Sequence, residues 1–411
     1  MKPLMKRDDI QPVILGGDWS TYSLARQFLE AFGVHSYFIA NSGIALVESS
    51  NFIVRETVES MCNEEVLRAI KAIADRHPQK KVVLVANSDD RVETVECIAE
   101  DLPDNVVYLF PPHEVSSYVS DKVNFMELCQ KYGLDTSRTE VVHLAQEGPI
   151  APTEIPFPVV AKPASSTEYV NLYAKGFKKV YFVHDQAELD QIWSDLRGVG
   201  YKGDFLVQEL IEGDDTLVDC ITMYVDSRGE LGLRAAANVL LEDHAPTLLG
   251  NPVSMIVNPM PELWQKIEVM LKEIGWRGFA NFDLKRDPKD GRVIFMDFNP
   301  RVGASSYYAC AGGANPMYTL VRDIVDGVQG ECATAEREML YTRVPVKLLR
   351  HYLRDPQLLD RFDRIVSEGR VVNPCRCKDD GLKARMYGLL MEQNYVRKFK
   401  TFYPDPTDTS F

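Results

Sequence analysis

The sequence predicts a mixed fold class: a parallel α/β domain first, then an α+β core and a small C-terminal piece. Three observations support this prediction. The 411 residues exceed the usual length of a single-core domain, which suggests about two or three domains. Apolar runs alternate with helical patterns up to about residue 120, as in parallel sheets covered by helices. Residues 278–299 contain two strand-like runs around a turn, which indicates an antiparallel hairpin.

Composition favours a folded protein and argues against nucleic acid as a partner. Hydrophobic residues make up 45% of the chain and charged residues 26%, so a large core can be buried. The formal net charge of -14 does not supply the positive field that binds phosphate backbones. Residues 341–411 differ from the rest, because they contain 14 Lys and Arg against nine Asp and Glu. The C-terminal segment is therefore a basic region on an acidic protein.

The cysteines and the hydropathy pattern favour a cytoplasmic protein. The eight cysteines have no CxxC spacing, and Cys375 and Cys377 lack two further zinc ligands nearby, so we expect reduced thiols. No run of about 18 apolar residues is present, so we expect no membrane span.

Proline-rich breaks divide the chain. Pro111-Pro112 ends the alternating pattern, and "GPIAPTEIPFP" precedes the strand-like "PVVAKP". Beyond about residue 335 the sequence has helical stretches and the basic-aromatic segment "YVRKFKTFY". We therefore predict domains over residues 1–118, 119–335 and 336–411.

Two strand ends of the first domain have the residue types of a ligand site. Gly17 and Asp18 follow the first predicted strand, and Asp89 follows the third. Ligands of parallel sheets bind at the carboxyl ends of strands, so these three residues are candidate substrate contacts. Tight turns and helix N-caps use the same residues, and this alternative stays open. The sequence "GGDWST" lacks the GxGxxG spacing of a dinucleotide site.

The predicted hairpin has acidic and amide side chains at alternate positions. Asp283 lies in "FANFDLKR", and Asp297 and Asn299 lie in "RVIFMDFNPR". Oxygen ligands of this kind suit Mg²⁺ shared with phosphates. A symmetric turn puts the two aspartates on opposite faces, so the site requires a one-residue bulge, for which Gly291 is the candidate, or an odd-length loop. The alternative is a solvated edge whose carboxylates are adjacent by chance.

Further residues along the chain suit a nucleotide and an activated carboxylate. Arg301 follows the second strand and can hold a carboxylate or acyl phosphate by two contacts, and Ser305 can add a hydroxyl donor. Lys162 ends an apolar strand, where its ammonium group requires a partner such as a phosphate. Glu209 follows the next apolar run and can accept a hydrogen from the adenine amine, and the acidic pair at 214–215 can bind ribose or form an exposed turn.

The order of these residues resembles the ATP-grasp superfamily of carboxylate-amine ligases over about residues 1–330, most specifically in "DFNPR" at 297–301. The resemblance implies a pre-ATP-grasp N-terminal domain and an ATP-grasp core of two α+β subdomains, with a lid at about residues 158–208. It also implies ATP and a pair of Mg²⁺ ions as cofactors, and Arg301 and Lys162 as catalytic residues. It assigns the ATP phosphates to Lys122 and Lys162, and the metal to Asp283, Asp297 and Asn299. It assigns the adenine to Glu209 and Ile211, and the ribose to Asp214 or Asp215. It assigns the acyl phosphate to Arg301.

The lid segment departs from the glycine-rich lid of many members, so Ser165, Ser166 and Thr167 would have to contact the phosphates. With "QELIEGDD" it looks most like D-aspartate ligases, which join a D-amino acid to the lysine amine of a peptidoglycan stem peptide. The resemblance thus implies a small carboxylate and an amine acceptor as partners, and a homodimer. The basic C-terminal region could receive an anionic acceptor or touch a membrane. Two alternatives are a ligase of purine or small-peptide metabolism and a nucleotide-binding regulator without turnover.

Overall fold

The computed structural model describes residues 3–164, 169–178, 180–246, 248–328 and 330–409. Within these ranges the strands form three sheets, of five, four and nine strands. This mixture of a parallel sheet with antiparallel sheets and covering helices confirms the predicted fold class.

The first sheet is parallel and has the strand order β3-β2-β1-β4-β5. Its elements are β1 (Ile10–Leu15), α1 (Trp19–Phe32), β2 (Ser36–Ala40), α2 (Ala45–Glu48), β3 (Ile53–Thr57), α3 (Asn63–Arg76), β4 (Lys81–Ala86), α4 (Asp89–Ile98) and β5 (Val106–Val107). The strand order reverses between β1 and β4, so the carboxyl ends of these two strands lie side by side. The sequence did not predict β3, because most residues of this edge strand are exposed.

A four-stranded antiparallel sheet follows helices α5 (His113–Ser120) and α6 (Lys122–Lys131). Its strands are β7 (Thr139–His143), β8 (Val159–Pro163), β9 (Tyr181–Val183) and β10 (Asp204–Glu209), in the order β7-β10-β8-β9. Helix α7 (Gln186–Gly198) covers the sheet through Trp193, whose ring centroid lies 5.3 Å from that of Phe205. The lid bounds of about 158–208 stay a prediction, and β7 of this sheet precedes them.

The nine-stranded sheet forms the centre of the molecule. Its strands are β6 (Asp135–Thr136), β11 (Val218–Val225), β12 (Leu231–Asp243), β13 (Asn251–Val257), β14 (Gly278–Arg286), β15 (Val293–Asn299), β16 (Ala333–Thr334), β17 (Leu340–Thr342) and β18 (Val371–Val372). Along the main path the order is β18-β17-β13-β12-β11-β14-β15-β6. Helix α8 (Pro261–Glu273) packs on one face through Trp264 and Ile267, whereas Tyr224 and Tyr308 lie in the cluster on the other face.

The C-terminal residues are built onto this sheet, since β17 and β18 extend it. The remaining helices are α9 (Tyr307–Gly312), α10 (Pro316–Ile324), α11 (Val346–Tyr352), α12 (Pro356–Ser367) and α13 (Leu382–Phe402). Tyr352 and Phe399 join α11 and α13 in one apolar cluster with the sheet residue Leu340. No helix in the described ranges is both long enough and apolar enough to cross a membrane.

Candidate active site

Strands β14 and β15 pair so that their two aspartates face each other. Asp283 lies opposite Asp297, and Asn281 lies opposite Asn299. Opposite residues of an antiparallel pair project to the same face. The expected shared face of the two carboxylates is therefore confirmed.

A bulge produces this register, as the sequence requires, but it does not lie at Gly291. Pairing shifts after Asp283, because Leu284 lies opposite Phe295 and Met296 is the extra residue. Gly291 instead shapes the turn, with φ of 77°, and its N–H donates to the Asp287 carbonyl at 2.8 Å. The predicted position was wrong because positive φ at a glycine marks the turn, whereas a bulge needs no glycine.

The bulge also changes which residues support the site from behind. Simple alternation puts Phe295 on the face of Asp297, but Phe295 packs with Phe298 in the buried cluster. The rings of Phe282 and Phe298 stack at 4.3 Å, and the Trp276 ring lies 4.5 Å from Phe298. Full burial of such a side chain stabilises a fold by about 1.5–3 kcal/mol. This packing fixes the hairpin and directs its carboxylates to the opposite side.

The predicted metal ligands and Lys122 meet on that side. The Asn299 side-chain amide donates to Asp283 Oδ2 at 3.2 Å, and Lys122 Nζ contacts Asp297 Oδ1. Lys122 is the first residue of α6, which Asp121 caps by accepting from the Asn124 N–H at 2.9 Å. The Asp297 side chain remains 39% exposed, so a ligand can reach it.

This donor set fits Mg²⁺ rather than a soft metal, because it offers two carboxylates and an amide oxygen. In the described part of the chain no three side chains of His, Cys, Asp or Glu are grouped to hold a metal. The predicted set contains only two carboxylates, so phosphates and water would complete the coordination.

Arg301 lies close to the carboxyl end of the parallel sheet, near the predicted substrate contact Asp89. Its Nε lies 3.3 Å from Asp89 Oδ1, and Asp89 begins α4 at the carboxyl end of β4. Arg301 is 19% exposed and Asp89 is 61% exposed. The buried Nε has no hydrogen bond at acceptable geometry within the described ranges. Two of the predicted substrate contacts, Arg301 and Asp89, thus lie together.

The residues that follow strand β1 stabilise their own loop. Asp18 Oδ1 accepts from the N–H groups of Ser20 and Thr21 at 3.0 and 3.1 Å, so it is the N-cap of α1. A Cβ at Gly17 would lie 2.3 Å from the Ser42 carbonyl oxygen, which explains the glycine. These contacts support the cap-and-turn alternative at β1. The substrate roles of Gly17 and Asp18 stay predictions.

The sequence did not reveal Arg343, which lies beside Ser305. The Ser305 hydroxyl and Arg343 Nη2 both donate to the Pro252 carbonyl, each at 3.2 Å. Arg343 is only 4% exposed, and its guanidinium carbon lies 3.6 Å from the ring centroid of Trp19, which follows Asp18. Its Nε has no hydrogen-bond partner in the described residues, and no carboxylate there pairs with it. The one available signal was an arginine directly after the apolar run "LYT".

The predicted nucleotide residues lie on the four-stranded sheet and just beyond it. Lys162 of β8 lies opposite Leu206 of β10, and Glu209 ends β10 opposite Val159. Ile211 follows and is buried. Ser165, Ser166 and Thr167 lie outside the described residues.

The two acidic residues after Ile211 have different surroundings. Asp214 Oδ1 accepts from the Thr216 N–H at 3.0 Å, and Asp214 Oδ2 lies 3.1 Å from Arg354. Asp215 is buried, accepts from the Glu242 N–H at 2.8 Å and lies 2.9 Å from His244 Nε2. Asp215 is buried whereas Asp214 is partly exposed, so the geometry favours Asp214 as the ribose contact.

Comparison with known proteins gives a relative that matches the chain in length. No protein-family model matches the chain. It is 28% identical to the D-aspartate ligase of Enterococcus faecium over 417 aligned positions, covering 97% of this chain and 98% of that one. It is 25% identical to the carbamoyl phosphate synthase large chain of Thermus thermophilus, over 48% of this chain and 19% of that one.

Solved structures agree in fold. The N5-carboxyaminoimidazole synthetase of Staphylococcus aureus, complexed with ADP, has a TM-score of 0.57 at 9% identity and 88% coverage of both chains. The biotin carboxylase domain of Hydrogenobacter thermophilus 2-oxoglutarate carboxylase, with MgADP, has a TM-score of 0.55 at 12% identity, covering 80% of this chain and 72% of that one. At these identities the structural likeness establishes the fold alone. The chain thus resembles the ATP-grasp carboxylate-amine ligases in fold and is similar along its whole length to D-aspartate ligase in sequence.

Proposed function

We propose that the chain activates a carboxylate of a D-amino acid, of the D-aspartate type, and joins it to the lysine amine of a peptidoglycan stem-peptide precursor. The observation that carries this proposal is the similarity to D-aspartate ligase along the whole length of both chains. The position of Arg301 between the acidic hairpin and Asp89 supports it, because a donor carboxylate could bind there beside the phosphates.

The proposed nucleotide site uses ATP with Mg²⁺. Asp283, Asp297 and Asn299 would hold the metal, which we propose to be a pair of Mg²⁺ ions. Bound Mg²⁺ would supply positive charge against the phosphate oxygens. Lys122 lies beside Asp297 and would turn to a phosphate when the nucleotide binds. We assign Lys162 to the phosphates as well.

The adenine and ribose contacts complete this proposal. Glu209 and Ile211 would hold the adenine, because Glu209 ends β10 and Ile211 lies just beyond it, where the pairing with β8 ends. Asp214 would contact the ribose, since it keeps the partial exposure that Asp215 lacks.

The donor carboxylate is a poor electrophile and must be activated. Its oxygen attacks the γ-phosphorus of ATP, forming an acyl phosphate and releasing ADP. The acceptor amine then attacks the acyl carbon, the amide bond forms, a proton leaves the nitrogen, and phosphate departs with the transferred oxygen. Arg301 would hold the acyl phosphate and the oxyanion that develops during amine attack.

A second carboxylate group on the donor requires another anchor. Arg343 supplies a buried guanidinium next to Ser305 without a carboxylate of its own in the described residues. We propose that it selects donors with an additional carboxylate, of which aspartate is an example.

The test is ADP and phosphate release with Mg-ATP, across D- and L-amino acids, with and without a stem peptide that has a free lysine amine. We expect release to require both a D-amino acid and the peptide. Asp297→Asn should abolish it, whereas Asp290→Asn, in the exposed turn of the same hairpin, should not. Release with unrelated carboxylates only would support ligase activity but contradict the proposed cell-wall substrate. Release from ATP with neither substrate would contradict the coupled reaction.

A further inference from the structure

Helix α13 has an exposed face rich in large apolar side chains. Its buried side packs through Tyr395 and Phe399 against the central sheet and α11. Five apolar side chains on the outer side are between 41% and 82% exposed: Leu382, Met386, Leu389, Leu390 and Val396. Single exposed apolar residues are common on folded proteins, but a group of five on one side of a helix indicates an interaction surface.

The spacing of these residues makes the group continuous. From Leu382 the other exposed apolar side chains of this group are four, seven, eight and 14 residues along, which all fall on one side of a helix. The stripe from Leu382 to Val396 therefore extends over about 20 Å. A stripe of this length suits a flat partner.

The same face is basic. Lys383, Arg385, Arg397 and Lys400 are exposed on α13. The helix has one acidic residue, Glu392, which is 13% exposed and pairs with Arg376 at 3.0 Å. The exposed face therefore combines apolar and positive groups on a protein whose net charge is -14.

We infer that this face of α13, defined by the five apolar and four basic residues above, docks on an anionic lipid bilayer. An interfacial helix buries its apolar side chains at the headgroup boundary, and flanking Lys and Arg bind the lipid phosphates. A second copy of the chain is a poorer partner, because two such faces would bring basic residues together with no exposed acid between them.

Docking would bring the proposed donor anchor, Arg343, close to the bilayer. The inner side of α13 contributes Tyr395, whose ring centroid lies 5.5 Å from the guanidinium carbon of Arg343. The helix thus separates the proposed donor anchor from the exposed face by one layer of side chains. The inference does not depend on the proposed reaction, because vesicle binding can be measured without substrates.

The test is co-sedimentation of the full chain with vesicles of phosphatidylcholine plus phosphatidylglycerol, and with vesicles of phosphatidylcholine alone. We expect binding to the anionic vesicles only. Each basic residue near such a surface contributes about fivefold in affinity, so Lys383→Gln with Arg397→Gln should weaken binding about 25-fold. Leu389→Ser with Leu390→Ser should also weaken it, while the melting temperature stays unchanged because both side chains are exposed.

Matched controls come from exposed residues on other helices. Lys71→Gln in α3 and Val269→Ser in α8 remove one charge and one exposed apolar side chain away from α13. Both should leave vesicle binding unchanged. Absence of binding to anionic vesicles, or equal losses in the controls, would overturn the inference. Self-association that the paired leucine substitutions abolish, without vesicle binding, would assign the face to a second copy instead.

Discussion

Replacing Arg301 with alanine should impair turnover far more than folding. The only ion pair of Arg301 in the described residues is with Asp89, at 3.3 Å, and Asp89 is 61% exposed. Because the carboxylate is open to water, we expect this pair to contribute about 0–1 kcal/mol. The buried Nε has no hydrogen bond to lose there. The melting temperature should therefore fall by no more than about 4 °C.

The expected loss of turnover is much larger. A donor directed at charge that develops in the transition state contributes about 3–4 kcal/mol, which corresponds to about 10²–10³-fold in kcat. Arg301→Lys retains the charge but not the two-pronged geometry, so its turnover should lie between those of the wild type and the alanine variant.

The assay combines thermal unfolding with ADP release at saturating ATP, donor and acceptor. Arg292→Ala is the control, because Arg292 pairs with Asp290 at 2.6 Å in the exposed turn of the same hairpin. It should keep both stability and turnover. The reasoning is refuted if Arg301→Ala turns over near the wild-type rate, or if its melting temperature falls as steeply as its activity.

Three further predictions concern other parts of the site and its support. Lys162→Met should abolish the protection by ATP against heat unfolding, whereas the control Lys178→Met, in the same sheet region, should retain it. Undiminished protection in Lys162→Met would show that this lysine does not contact the nucleotide. Arg343→Lys should raise KM for a dicarboxylic donor while kcat falls less, because the fork contact is lost, and an unchanged KM would exclude the anchor role. Burial disfavours the Glu338 carboxylate, yet hydrogen bonds from arginines 370 and 361 outweigh this and hold its pKa below the usual 4.5. Glu338→Gln should thus lower the melting temperature at neutral pH, and the difference should shrink as the pH falls through the depressed pKa; a constant difference would contradict the ion-pair account.

Local signals in the sequence were sufficient for most of the fold. The alternation of apolar runs and helical patterns up to about residue 120 corresponds to the observed parallel sheet and its helices. This prediction rests on side-chain periodicity, which depends on nearby residues only. The edge strand β3 has little apolar signal, so periodicity could not reveal it.

The sequence predicted that the two aspartates of the hairpin share one face. It also predicted that this strand register requires a bulge or an odd-length loop, but it did not give the position of the bulge. The position of Met296 depends on how Phe295 and Phe298 pack together, which is a tertiary effect. Arg343 was missed for a related reason, because its proximity to Trp19 arises between segments far apart in sequence.

Transfer of oxygen from the donor carboxylate to phosphate tests the central claim most directly. The amino acid is labelled with heavy oxygen in its carboxylates, and the released phosphate is analysed by mass spectrometry after reaction with Mg-ATP and the stem peptide. Activation through an acyl phosphate predicts that the released phosphate contains one labelled oxygen, in step with amide formation. Unlabelled phosphate alongside amide product, or label in AMP, would contradict the account.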